Sequence, residues 1–462
     1  MSDACIEIHS ETARVRAALV NSGRHTFAEA DTKLAASRLL IILGEDAANT
    51  PAGQAALLTA IVTSTRSFGQ VFVQGPVDQV QLLAVPAAAR TLRDAIAFFG
   101  AKTATAPSGC PQIVIGTSPT KTGGWSVQAF WDGWTAGTTP SAKPVNIGLS
   151  DCPLAGIAAG ALAVGQAFLS EQGDVRAGRT NQTLSLWSPG NAGKFDYSEP
   201  PLFNRVLLPA SLWLVGLGNL GQAYLWSLTL LPYSRPEDVK LFLQDDQKIE
   251  RENWGTSILV ERGRYGFLKT RLTEEWASGR GFEVRRIDRR LDEHFLRLEH
   301  EPGIALAGLD TMPARRLLGL RGFEYIIDAG LGATFIDYRK LRINVFNSKE
   351  NPAEHFRDVE DLTMQTVQAL MDLPAYQELG RHLGDGGCGA AMLAASSVAV
   401  PFVSAIAGAL AITQAIRIAS GYAHHVAITG DVSDIRSLRA TIGAVPARTI
   451  VPGIQPVTHE TE

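Results

Sequence analysis

One short phrase occurs twice in this chain. Residues 159–168 read AGALAVGQAF and residues 407–416 read AGALAITQAI, with seven identities in ten. Each copy has a proline six residues before its first alanine, Pro153 and Pro401. Alanine favours helix, and small side chains let a neighbouring backbone come close, so both copies predict buried, tightly packed helices. A chain that repeats its packing helix is expected to fold as two related halves. Tandem duplication would let those helices meet across a pseudo-twofold axis, as two subunits of a symmetric dimer do.

The run from Gly386 to Ile416 has no charged residue and is long enough to span a bilayer. It carries Cys388, Ser396, Ser397, Pro401, Ser404, Thr413 and Gln414, and it is rich in Ala and Gly rather than Leu. Burial inside the protein is therefore the expectation, with no membrane as partner. A length of 462 residues exceeds one ordinary core, so two or three domains are expected. The net charge of −4 leaves no basic excess for phosphate backbones and argues against nucleic acid. Cys5, Cys110, Cys152 and Cys388 are scattered, with no Cys-x-x-Cys pair. A disulfide framework or paired-cysteine zinc site is not expected, and a reducing cytoplasm suits the chain. Its first residues, MSDACIEIHSE, lack a signal-peptide pattern.

The first half predicts strands at 38–45, 70–75 and 111–116, a helix from Pro51 to Ser67, the first repeat helix, and a strand at 182–187. A Pro- and Gly-bearing stretch at 188–201 reads as a linker. The second half restarts at 211–221, SLWLVGLGNLG, as strand, glycine turn and helix start. Strands follow at 239–246, 303–310 and 323–330, then the second repeat helix at 400–418 and a strand-like tail. Strands alternating with helices predict a parallel α/β sheet.

The glycine turn places Gly216, Gly218 and Gly221 in the G-x-G-x-x-G pattern between a strand and a helix. Such a turn brings backbone N–H groups towards a phosphate at a helix N-terminus, which predicts nucleotide binding without naming the nucleotide. Asp245 or Asp246 follows the second strand, where a carboxylate holds ribose hydroxyls. Asn253 lies eight residues past Asp245, and Lys269 sixteen past Asn253. Asp310 directly follows a later strand, with Arg315 five residues on.

This set resembles the adenylation domain of the ubiquitin-activating enzymes and their bacterial relatives of the ThiF, MoeB and HesA type, over residues 205–420. The resemblance implies two tandem Rossmann-like, ThiF-type α/β halves forming a pseudo-dimer. It implies an ATP- and Mg²⁺-dependent enzyme that adenylates the C-terminal carboxylate of a ubiquitin-like protein. Asp245 would bind the ribose, Asn253 and Lys269 would contact the phosphates, and Asp310 would hold Mg²⁺ close to the α-phosphate. Arg315 reads as structural. Bringing a carboxylate to an α-phosphate joins two anions, and cations with oriented amides offset that charge.

The family places an arginine three residues after the asparagine, where this chain has Thr256. Arg251, Arg262 or Arg264 could supply that charge. The family also lends an arginine from the partner half's N-terminal helix, a place suggested for Arg24. In the first half, ILGEDAANTPAG stands where the glycine turn would be and nothing matches the Asp–Asn–Lys set, so that half reads as degenerate. Cys388 lies on a glycine-rich segment before the second repeat helix, where short activating enzymes of this family deliver the thioester-forming cysteine. Cys152 reads as a packing residue.

The expected organisation is a degenerate half at 1–195, a nucleotide-binding part at 200–345, a cysteine-bearing crossover at 346–390, a return helix at 391–425 and a tail at 426–462. The two-half arrangement resembles activating enzymes of bacterial antiphage ubiquitin-like conjugation operons of the Bil type. A conjugating enzyme would then receive the thioester. A sulfur-carrier adenylyltransferase, a non-catalytic nucleotide-binding scaffold and a Rossmann oxidoreductase stand as alternatives.

Overall fold

The computed structural model describes residues 10–20, 25–117, 124–148, 151–190, 199–319, 321–332, 337–359, 364–383, 387–394, 398–445 and 453–457. Cys5 and Arg24 lie outside the described residues.

The first sheet holds β1 (Arg38–Leu43), β2 (Gln70–Gln74), β3 (Gln112–Ile115), β4 (Ser126–Asp132), β5 (Thr135–Pro140) and β6 (Gln182–Ser185), in the order β2-β1-β3-β4-β5-β6. A short β7 (Leu207–Pro209) leads into the second sheet. That sheet contains β8 (Ser211–Val215), β9 (Lys240–Gln244), β10 (Glu283–Ile287), β11 (Ile304–Ala307), β12 (Tyr325–Leu331), β13 (Lys340–Asn347), β14 (His425–Asp431) and β15 (Asp434–Ile442). Its order is β10-β9-β8-β11-β12-β13-β14-β15. Both sheets follow one plan: four neighbouring parallel strands continue into an antiparallel edge. The second sheet adds β10 and β15 at its two edges. Finally β16 (Ile454–Pro456) pairs with β7, so the end of the described chain clamps the entrance to the second half.

The local chemistry explains these elements. Strand β11, IALA, is buried throughout because it sits between β8 and β12 under helices. Edge strand β10, EVRRI, exposes charge instead. The two repeat helices are Pro153–Glu171 and Pro401–Ala419, each with proline in the first turn, where the missing N–H costs nothing. Both are long and apolar enough to cross a membrane, and both are almost wholly buried in the protein.

The packing of these helices differs from the sequence expectation. They do touch, through Phe168 and Phe402 with ring centroids 5.7 Å apart, and Phe402 also lies against Gly165. The shared glycines face elsewhere. A Cβ on Gly160 would lie 2.2 Å from the Ala56 carbonyl oxygen of the Pro51–Ser64 helix. A Cβ on Gly408 would lie 2.7 Å from the Ala223 carbonyl oxygen of the Asn219–Thr229 helix. Each small-residue stripe therefore packs on the long helix between the first two strands of its own half's main sheet, at equivalent places.

Between the halves, Trp226 Nε1 donates to Thr59 Oγ1 at 2.9 Å. Those residues stand at the same sequence offset as Ala223 and Ala56, so equivalent positions meet each other, as at a twofold axis. Ring contacts of Phe99 with Trp226 and Trp276 extend this junction.

Candidate functional site

Strands β8 and β11 are parallel neighbours ending at one edge of the second sheet, and the site residues lie along it. β8 runs into Gly216, whose φ of +81° is in the left-handed region that glycine tolerates. A Cβ on Gly221 would sit 2.0 Å from the Gly216 carbonyl oxygen, so only glycine lets the following helix start this close to the turn. Gly218 is the N-cap of that helix and supplies no side-chain cap. A Cβ added there would meet Lys269 Nζ alone, at 4.0 Å. An uncapped helix N-terminus beside a lysine ammonium is an anion cradle.

A chain of hydrogen bonds holds the cradle in shape. Asp245 Oδ2 accepts the Leu217 N–H of the turn at 2.7 Å, and its Oδ1 accepts the Gln247 N–H at 2.7 Å. Lys269 Nζ then donates to Gln247 Oε1 at 2.6 Å. Lys269 is 7% exposed, so its charge sits in a partly dehydrated setting where it acts strongly on an anion. Each Asp245 oxygen keeps further lone-pair capacity for a hydroxyl donor. Asn253 opens the short Asn253–Thr256 helix, and its Oδ1 accepts the Glu250 N–H at 2.9 Å.

Asp310, three residues beyond β11, is exposed and has no hydrogen-bond or ion-pair partner among the described residues. Arg315 is built into the scaffold beneath it. Its guanidinium donates to the Leu309 carbonyl at 3.1 and 2.9 Å, fixing the backbone that carries Asp310. It also pairs with fully buried Asp328 at 3.0 Å. Burial outweighs Arg315 and pushes the Asp328 carboxyl up to about 6, and its Oδ1 has no partner.

Four further residues enter that sequence reasoning passed over. Gln247 is the link between Lys269 and Asp245. Gln222, fully buried, donates to the Leu217 carbonyl at 3.1 Å and accepts the Leu259 N–H at 3.0 Å. Ser404 of the second repeat helix donates to Asn219 Oδ1, which leaves the buried Asn219 Nδ2 without a partner at the start of the turn helix. The same pair of places in the first half is held by Gly156 and Ala52, where a Cβ on Gly156 would lie 2.1 Å from the Ala52 carbonyl oxygen. A polar pair in one half is thus a bare packing contact in the other. The only signal in the sequence was the offset between the two repeats.

The fourth is Arg14. The helix Ala13–Val20 from the first half lies against the Asn253–Thr256 turn, and Arg14 pairs with Glu252 at 2.9 Å. Thr256 is buried and its hydroxyl lies 3.4 Å from the Asn253 carbonyl, so it brings no charge. Arg262 and Arg264 are paired with Glu11 and Glu275 at 2.8 and 3.1 Å. Arg14, paired with Glu252, and Arg66, stacked over Trp254, are cations that the first half carries to the neighbourhood of Asn253.

The corresponding edge of the first half is different. There Asp46 accepts the Thr117 N–H with both carboxylate oxygens, at 3.0 and 3.1 Å. A carboxylate at that place repels a phosphate rather than attracting one.

Cys388 is exposed and begins the Cys388–Ala394 helix, directly after Gly387 with φ +86°. That helix packs with Met364–Met371 and Pro374–Leu383, and Tyr376 of the latter meets Phe27 of the first half at 5.2 Å. No hydrogen bond or ion pair among the described residues links Cys388 to the glycine turn. Cys110 and Cys152 are buried, and burial pushes the Cys152 thiol up to about 12.

Comparison with known proteins adds to this geometry. The profile of the BilD N-terminal domain matches residues 38–186, and that of the BilD C-terminal domain matches residues 208–422. A curated relative, Bacterial E1-like protein BilD from Collimonas sp. (strain OK412), is 35% identical over 451 residues, covering 95% of each chain. Among solved structures, Escherichia coli MccB with MccA-N7isoASN aligns at 13% identity with TM-score 0.35, over 52% of this chain and 64% of that one. The same protein with ATP aligns at 13% identity with TM-score 0.34, over 50% and 64%. The chain thus spans less than two thirds of those solved chains.

Proposed function

The chain belongs to the BilD family of bacterial E1-like proteins, and from that premise we propose that it is an activating enzyme for a ubiquitin-like protein. The observation that carries the reading is the cradle at Gly218: an uncapped helix N-terminus, the Lys269 ammonium beside it, and the Asp245–Gln247 link that holds both. The unmet Asn219 Nδ2 and the open space above Gly218 fit a nucleotide phosphate. Gly216, Gly218 and Gly221 would take the ATP phosphates with Asn253 and Lys269, and Asp245 would take the ribose.

In this reading a carboxylate oxygen of the partner's C-terminus attacks the α-phosphorus of ATP. The bond from that phosphorus to the bridging oxygen breaks, and pyrophosphate leaves with the electron pair. Lys269 and the helix N-terminus offset the charge that develops. Asp310, exposed and without a hydrogen-bond or ion-pair partner among the described residues, suits Mg²⁺, which would supply further charge neutralisation at the phosphates. Arg14 adds a cation from the first half, and Arg315 positions the Asp310 backbone.

Cys388 would perform the second step. Its thiolate attacks the carbonyl carbon of the acyl-adenylate, the carbon–oxygen bond to phosphate breaks, and AMP departs. The transfer would bring the exposed Cys388 thiol to the acyl-adenylate at the cradle. A conjugating enzyme would accept the thioester, in the cytoplasm and in the setting of antiviral defence. The degenerate half would complete a pseudo-dimer, with Asp46 excluding a second nucleotide.

Thr256 favours one other reading, a nucleotide-binding scaffold without catalysis, because it removes a cation the family uses. Isotope exchange between pyrophosphate and ATP separates the two. The reading predicts exchange that Lys269→Ala and Asp310→Ala each abolish with the fold intact; normal exchange in either variant rejects the site.

A further inference from the structure

A second cavity, of about 740 Å³, lies away from the glycine turn, between the first half and the Asn253–Thr256 and Lys269–Gly279 helices. Phe68, Phe98 and Phe99 of the first half and Trp276 of the second supply aromatic walls. Arg66, Lys102 and Arg262 supply positive charge. Arg66 is only 7% exposed, and although one of its nitrogens donates to the Val260 carbonyl at 2.9 Å, its Nε has no partner. No carboxylate among the described residues lies within ion-pair distance of it.

Trp254 gathers the charge further. The guanidinium carbons of Arg66 and Arg262 lie 4.3 and 4.1 Å from its ring centroid. Two like charges share one aromatic ring, one of them buried; burial and Arg262 together push Arg66 down to about 9. Arg262 is paired with Glu11 at 2.8 Å, so of these two guanidiniums the one without a carboxylate partner among the described residues is Arg66. Asp31 is held by Arg16 at 2.8 Å, and Glu261 forms no ion pair with Arg66 among the described residues. A buried guanidinium with an unmet N–H is costly unless an anion completes it.

We propose that this cavity is a binding site for a small organic anion: a phosphate, sulfonate or carboxylate on a planar apolar body. The anionic group would be taken by the unmet Arg66 Nε–H, with Arg262 adding positive charge beside its Glu11 pair, and the body would rest against the aromatic walls. Charge and apolar surface occur together, so neither a bare ion nor a neutral ring satisfies the site. The ligand would bridge the halves, since Arg66 belongs to one and Trp254 and Arg262 to the other.

The test titrates 1-naphthyl phosphate into the full chain by calorimetry. One saturable site is expected, weakened at least tenfold in Arg66→Met and also weakened in Arg262→Met. Inorganic phosphate alone is expected to bind at least tenfold more weakly than naphthyl phosphate, and Lys269→Ala is expected to bind naphthyl phosphate unchanged. Absence of saturable binding overturns the proposal. So does binding that Lys269→Ala removes and Arg66→Met retains, which assigns the probe to the glycine turn. If Arg66→Met does not fold, Arg262→Met decides, because its side chain is 65% exposed and its loss leaves the core intact.

Discussion

Replacing Gly160 by alanine should destabilise the protein even though alanine is the better helix former. The new Cβ would lie 2.2 Å from the Ala56 carbonyl oxygen, where ordinary contact begins at 3.4 Å. The obstacle is backbone, which cannot rotate away, so the two helices must part by about 1 Å. Overpacking of this kind costs about 1–3 kcal/mol or more, against a gain of about 1 kcal/mol in helix propensity. The net is a loss of up to about 2 kcal/mol, or up to several degrees in Tm at roughly 2–4 °C per kcal/mol. Gly165→Ala is the internal control. Its Cβ would meet only the Phe402 side chain, at 3.3 Å, so a small ring shift relieves it and stability should hold or rise. Gly408→Ala, at 2.7 Å, should fall between them. Thermal melts followed by circular dichroism give the order. A Gly160→Ala variant as stable as Gly165→Ala would refute the account of how the repeat helices pack.

Other predictions follow from the site and its scaffold. Cys388→Ala should keep pyrophosphate exchange yet form no thiol-sensitive adduct with the ubiquitin-like protein; lost exchange would mark the cysteine as structural. Asp46→Ala should leave exchange unchanged, and a loss would place a working nucleotide site in the first half. Asp328 has a folded pKa raised from 3.8 to about 6, so the folded state holds the extra proton between those values. Its contribution to stability is therefore greatest below about pH 4 and is lost as pH rises through about 6. Asp328→Asn should flatten that part of the stability–pH curve, as urea melts at pH 4 and pH 7 would reveal.

Local patterns made the site legible in part. The glycine turn needs only three glycines between a strand and a helix, and a few adjacent letters carry that. The place after the second strand points to Asp245 or Asp246 and the family resemblance to Lys269; hydrogen bonds through Gln247 join Lys269 and Asp245 to the turn. Gln247 escaped notice because its role depends on a backbone N–H and a side-chain oxygen together, which no pattern of letters encodes. Arg14 was missed for a different reason: its place beside Asn253 depends on a contact between halves more than two hundred residues apart.

The same contrast runs through the fold. β1, β3 and β8 read as apolar runs because parallel central strands are covered on both faces. β5, TAGTTP, offers no such run, yet four of its six residues are buried under the first repeat helix. The repeat itself was plain, but not its facing. The Pro51–Ser64 helix and the second repeat helix are both rich in alanine, so composition could not tell which of them Gly160 would meet.

The central claim is that a carboxylate at the end of a partner protein is the group activated. The direct measurement is isotope exchange between pyrophosphate and ATP, run with a ubiquitin-like protein and with the same protein amidated at its C-terminus. The account predicts exchange with the free carboxylate and none with the amide, since an amide nitrogen cannot replace the attacking oxygen. Equal exchange with both proteins, or with neither present, would contradict it.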